Sequence, residues 1–168
     1  MRKELYESLV VRLLSGLKYV DGAMTVLKTP ESIAEHSSAE SVVKHVDLWN
    51  HNVEFIEEDS AWSRPAVFVE FAPIVWSAVQ GRVEYTTRAR VLLHVVTDWC
   101  GSASAGSEFQ AESLGVFDLL DALHELLEDF GGASFDHLKL VESRTNHNHE
   151  DIVENVEVFE YRGKQVIG

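Results

Sequence analysis

Residues 83–96 alternate without interruption. Val83, Tyr85, Thr87, Ala89, Val91, Leu93 and Val95 take one parity, and Glu84, Thr86, Arg88, Arg90, Leu92, His94 and Val96 take the other. A period of two demands a β-strand, because successive strand side chains point to opposite sides. One parity is apolar throughout, so that side faces a core. The other changes from charged to apolar about halfway, so its surroundings must change there too. Ordinary strands run about 5–6 residues, so part of this one is expected to project beyond its sheet as a hairpin arm.

The rest of the chain supplies what such a strand needs to pack against. Leu5, Leu9, Leu13 and Leu17 recur every four residues, with Val10 and Leu14 alongside, which predicts a helix over 3–17 with one apolar stripe. Gly16 and Gly22 bracket its end. Residues 28–41, with Pro30 and several Ser and Glu, read as a solvated loop. A strand is expected over Ser41–Asp47, while Leu48–Glu58 suits a short helix equally well. Residues 66–72 are a β-branched and aromatic run, Ala-Val-Phe-Val-Glu-Phe-Ala, typical of a strand interior. Ser107-Glu108-Phe109-Gln110 has capping-box spacing. The helix after it places Leu114, Phe117, Leu120, Leu123, Leu127 and Phe130 on one stripe, and Gly131-Gly132 is expected to stop it. Strands over 138–144 and 152–161 follow, joined through Asn146–His149. The order α-β-β-β-α-β-β predicts a two-layer α+β fold: a mostly antiparallel or mixed sheet of about five strands covered by two main helices. No internal repeat and no second core appear, so residues 1–168 are read as a single domain.

Charge narrows the function classes. The chain carries 28 acids against 14 bases, a net charge of −14. Phosphate neutralisation needs clustered Lys and Arg, so a sequence-specific nucleic-acid binder is not expected. Residues 106–136 hold eight acids and no base. That stretch must face water, cations, a basic partner or something it repels. No apolar run approaches the roughly 18 residues of a membrane helix, and the first residues lack a secretory signal. With one cysteine, Cys100, no internal disulfide is possible, which fits a reducing compartment.

Few groupings resemble chemistry. Gly101–Ser107 matches G-x-x-x-x-G but puts Ser107 and Glu108 where a phosphate-binding loop needs Lys and a hydroxyl residue, so it reads as a flexible loop and a helix cap. His147 and His149, followed by Glu150 and Asp151, form the one candidate metal pair; His36, His45, His51, His94, His124 and His137 are scattered singly. A polar turn explains the pair without an ion. Asp118, Asp121, His124, Glu125 and Glu128 are neighbours on the wet side of a helix. Cys100 beside Trp99 reads as a structural thiol. Trp76 and Trp99 are expected in the core, and Trp49 and Trp62 are expected to anchor a loop or an intersubunit contact. No catalytic, cofactor or metal residues are assigned.

The succession of segments carries a resemblance. An amphipathic helix leads to VVKHVDLWNHNVEFIEE, then RPAVFVEFAP, the long strand RVEYTTRARVLLHVVTD, the helix FDLLDALHELLEDF, and a close on LKLVESRTNHNHEDIVENVEVFEY. Over roughly residues 1–162 this resembles the tail-terminator, or tail-completion, minor tail proteins of long-tailed bacteriophages and Mu-like prophages. The phrases F-D-L-L-D-x-L and the R-T…H-x-H-E-D junction carry most of it; residues 21–41 have no counterpart. The resemblance implies a non-enzymatic structural subunit, without cofactor, that self-associates into a ring, a hexamer. Such a ring caps the tail tube and meets head–tail connector proteins, in the bacterial host cytoplasm during assembly and in the virion tail afterwards. On that reading Asp118, Asp121, Glu125 and Glu128 face the lumen or the adjoining ring. Two other functions stay open: a small-ligand-binding α+β module, and a metal-dependent hydrolase using His147 and His149.

Overall fold

The structure, a computed structural model, describes residues 1–50, 62–146 and 150–167. Its elements are α1 (Arg2–Gly16), β1 (Leu17–Val20), β2 (Ala23–Val26), α2 (Pro30–Glu35), β3 (His45–Leu48), β4 (Ala66–Phe71), β5 (Ser77–Ala78), β6 (Glu84–Asp98), α3 (Gln110–Leu127), β7 (Phe135–Asn146) and β8 (Ile152–Val166). The expected α+β class holds, with more pieces than the periodicity announced. A six-stranded sheet runs β3-β4-β6-β8-β7, with β5 pairing the outer part of β6; β1 and β2 form a separate hairpin. Among the described residues only β3 and β4 run parallel.

The alternating run is the sheet's central strand. β6 spans 15 residues and pairs with β8 from Glu84↔Val166 to Asp98↔Ile152. The projecting arm is therefore two-stranded, and β5 thickens it. Ala89, Val91, Leu93 and Val95 of β6, with Phe159 and Tyr161 of β8, enter the main core under α1 and α3. Leu5, Leu9 and Leu13 on one side and Leu119, Leu120, Leu123, Leu126 and Leu127 on the other close that core. Each fully buried Leu contributes about 2 kcal/mol relative to exposure. The helices approach closely at Gly16, where an added Cβ would stand 2.5 Å from Leu126 Cδ1 and 3.2 Å from the Leu27 carbonyl oxygen. Glu4 ties α1 down by accepting from the backbone amides of Ala133 and Ser134 and from the Ser134 hydroxyl.

Several expectations need correction. The helix expected over 3–17 ends at Gly16, and Leu17 already begins β1, a strand the leucine spacing does not announce. Asp21 (φ 50°) and Gly22 (φ 80°) make a two-residue turn that closes the β1–β2 hairpin, the left-handed geometry that Asp-Gly accepts at little cost. The loop over 28–41 contains α2, capped by the Thr29 hydroxyl, which accepts from the Ser32 amide. The strand expected at Ser41 starts at His45; Ser41 itself bridges to Lys18. The alternative helix from Leu48 does not begin there, and most of 48–58 lies outside the described residues. α3 has no capping box: its N-cap is Phe109, and the Ser107 hydroxyl accepts from the Phe109 amide instead. It stops at Leu127, before Gly131-Gly132. Asp129, at φ 61°, turns the chain, and its amide donates to the Leu138 carbonyl.

Candidate interaction surfaces and buried polar clusters

The helix-free face of β6 and β8 divides as its side chains predict. At one end Val96 packs with Phe68, Ala66, Ile152 and Trp62, and Trp49 joins from the side. Trp62 and Trp49 thus anchor a local cluster, although the Trp62 indole N–H is buried without a hydrogen-bond partner among the described residues. His94 lies here, buried between two carboxylates: Nδ1 is 2.6 Å from Glu154 Oε1 and Nε2 is 2.7 Å from Glu70 Oε2. Trp49 stacks flat on the imidazole, with centroids 3.8 Å apart and planes 2° from parallel. Asn146 Nδ2 donates to the other oxygen of Glu154 at 2.8 Å. Each ring nitrogen of His94 thus faces a carboxylate oxygen at hydrogen-bond distance. With both nitrogens occupied, the ring offers no lone pair to a ligand.

A second buried carboxylate, Glu157, sits on the core side of β8. Its Oε2 lies 2.6 Å from His124 Nε2 and also accepts from the Ser143 hydroxyl. His124 therefore does not share the wet side of α3 with its acidic neighbours. Ser143, Glu157 and His124 superficially suggest a nucleophilic set. The carboxylate, however, stands between the hydroxyl and the imidazole, so the base does not touch the would-be nucleophile.

The acids of α3 separate. Asp118, Asp121 and Glu125 are exposed, and Glu125 meets Lys28 at 3.3 Å. Glu128 pairs with Lys139 at 2.5 Å beyond the helix end. Leu114 and Phe117 do not join the buried stripe; Phe117 is 55% exposed. They continue the exposed acidic stripe, because 114, 117, 118 and 121 fall on one side of a helix and 119, 120, 123, 126 and 127 on the other. Trp99 is also outside the core, 54% exposed, and lines a groove of about 520 Å³ with Tyr19, Met24, Leu114 and Phe117. Trp76 is half-buried. Cys100 is half-buried, and burial pushes its thiol pKa up, which disfavours the reactive thiolate. The Gly101–Ser107 loop is fastened to α3 by the Ser113 hydroxyl donating to the Gly101 carbonyl. His147 and His149 lie outside the described residues.

The arm end carries the opposite charge. Segments 82–90 and 160–166 hold five cations, Arg82, Arg88, Arg90, Arg162 and Lys164, against Glu84 and Glu160. Arg88 Nε meets Glu160 at 2.5 Å. Arg88 and Arg162 are register partners, as are Thr86 and Lys164, so the cations lie side by side on the face away from the helices. They border a groove of about 680 Å³ with Val75, Ser77 and Ser134. Val75, Val83, Val166 and Ile167 are exposed around this end, Val75 at 78%. Nothing in the residue pattern signalled this surface except the charged half of the alternation itself. Among the described residues no helix is long and apolar enough to cross a membrane. No protein-family model and no curated protein matches the chain.

Proposed function

We propose that this chain is a structural, non-enzymatic tail-completion subunit of a phage or prophage, forming a ring at the end of the tail tube, at the head–tail junction. Its partners on this reading are copies of itself, the tail tube and head–tail connector proteins. The reading rests on the resemblance in segment order, and one structural observation carries it further. Among the exposed large apolar side chains of the described residues, two groups stand out, Trp99, Leu114 and Phe117 beside α3 and Val75, Val83, Val166 and Ile167 at the arm. Exposed apolar surface of this kind supports a contact with another protein. Two distinct patches allow a head-to-tail contact, the kind that closes rings.

The test is sedimentation of the purified chain over a dilution series, with electron microscopy of the largest species. The expected result is a closed ring of fixed subunit number in equilibrium with monomer. A chain that stays monomeric throughout, with and without isolated tail tubes, ends the proposal. A second reading, a small-ligand-binding module, has the 680 Å³ groove in its favour, a volume within the usual range for ligand sites. That groove opens widely between charged side chains, and a screen of small anions for thermal stabilisation tests it.

A further inference from the structure

Charge and apolar surface are paired twice on this molecule, with opposite sign. The α3 stripe presents Leu114 and Phe117 followed by Asp118 and Asp121, all exposed and none of them in an ion pair among the described residues. The arm presents Val166 on the same face as Arg162 and Lys164, all likewise exposed and the two cations without an ion-pair partner among the described residues; Val83 and Ile167 are exposed at its tip. The two surfaces lie on opposite sides of the sheet. α3 covers the face to which Ala89 and Tyr161 point, whereas Arg88 and Arg162, one residue along each strand, point to the other. They are therefore unable to meet within one chain.

We propose that the arm of one copy docks on the α3 stripe of the next, Arg162 and Lys164 against Asp118 and Asp121, with Val166 and Ile167 against Phe117 and Leu114. The occupant of each surface is a second copy of this chain, because the chain itself carries the complement in both charge and apolar character. Complementary patches steer encounter and fix register, while the apolar centre supplies most of the burial energy. Since the two surfaces differ, the contact is heterologous and repeats around a ring until it closes. The α3 acids then serve the subunit boundary and do not line the lumen. This assignment rests on the ring-forming reading and specifies its interface.

Reciprocal charge reversal tests it. One variant carries Arg162→Glu and Lys164→Glu, the other Asp118→Lys and Asp121→Lys; all four positions are exposed. Each variant alone is expected to need about tenfold more protein, or beyond, to reach half assembly, because like charges now face each other. An equimolar mixture is expected to regain assembly, since each reversed surface then finds its complement on the other variant. An uncharged control, Leu114→Ser with Phe117→Ser, weakens assembly and is not rescued by mixing with either. If the wild-type chain assembles and the variants assemble equally well, or the mixture gains nothing, this interface is wrong and the ring reading stands. If the wild-type chain never assembles, the ring reading falls, and the interface with it.

Discussion

The two faces of β6 and β8 share one backbone pairing but are built from alternate residues, and they meet different surroundings. Toward the helices the faces are apolar along most of their length, and even the one carboxylate there, Glu157, is bound to His124 and Ser143. On the opposite side an aromatic cluster around Trp49, Trp62 and Phe68 gives way, past Leu92, to a field of Arg and Lys. One face is committed to folding along most of its length. The other is committed at one end and available at the other. Alternation in a strand thus records two environments at once, and the place where one parity changes character marks the boundary between fold and contact surface.

Substitutions on the two sides sharpen that contrast. Phe159→Ala, on the helix side, is expected to cost about 3–5 kcal/mol in denaturant unfolding because it opens a cavity beneath α3. Arg90→Ala, one step along β6 on the open side, is expected to stay within about 0.5 kcal/mol. Equal losses for the two would erase the distinction. The committed end of the open face comes next. His94→Leu takes the imidazole away from Glu154, a carboxylate only 2% exposed, and is expected to cost about 3 kcal/mol. Adding Glu154→Met should restore most of that loss, since a buried pair is often replaceable by well-packed apolar side chains. If the double variant is no better than the single one, His94 contributes packing and not pairing.

The smallest effect has the opposite sign. The Tyr161 hydroxyl is buried in the main core with no hydrogen-bond partner among the described residues. Tyr161→Phe is therefore expected to raise stability by about 1 kcal/mol, since an unsatisfied buried hydroxyl is costly. Burial also pushes the Tyr161 phenol up to about 12, against a weaker lowering by Arg2. The unfolded chain ionises it near pH 10 while the folded chain still holds it neutral. Its contribution is complete below about pH 10 and is lost as pH rises from there to about 12. The phenylalanine variant should show a flatter alkaline limb; an unchanged limb would mean that the hydroxyl reaches water.

Much of this frame was legible from residues alone. The Leu5-Leu9-Leu13 spacing, the Val-Phe-Val run at 67–69 and the alternation of 83–96 all reappear as α1, β4 and β6, because each side-chain period matches one backbone geometry. The β1–β2 hairpin was also written plainly, as Asp21-Gly22 between two short apolar segments, but Gly22 by itself suggests only a helix end. Helix termini were the weakest reading: Ser107 and Gly131-Gly132 are good signals, and tertiary contacts to Gly101 and Leu138 overrode them. The buried clusters were out of reach. His94 meets Glu70 and Glu154 across 24 and 60 residues of chain, and only the pairing of β4, β6 and β8 brings them together. The hint available was a histidine in the apolar half of an alternating strand. The charge partition was half visible: the acidic block 106–136 is obvious in sequence, whereas the basic arm forms only when 82–90 is laid beside 160–166.

The sheet's outer strands bear on the contacts that the proposed ring would use. β3 is only four residues long, and β7 breaks register twice, between Asp136 and Lys139 and between Leu140 and Glu142. A short margin and a kinked one both make poor templates for backbone zippering. In the proposed ring, neighbours would then recognise one another by side-chain shape and sign, which would let a wrongly seated subunit fall away before it is locked in.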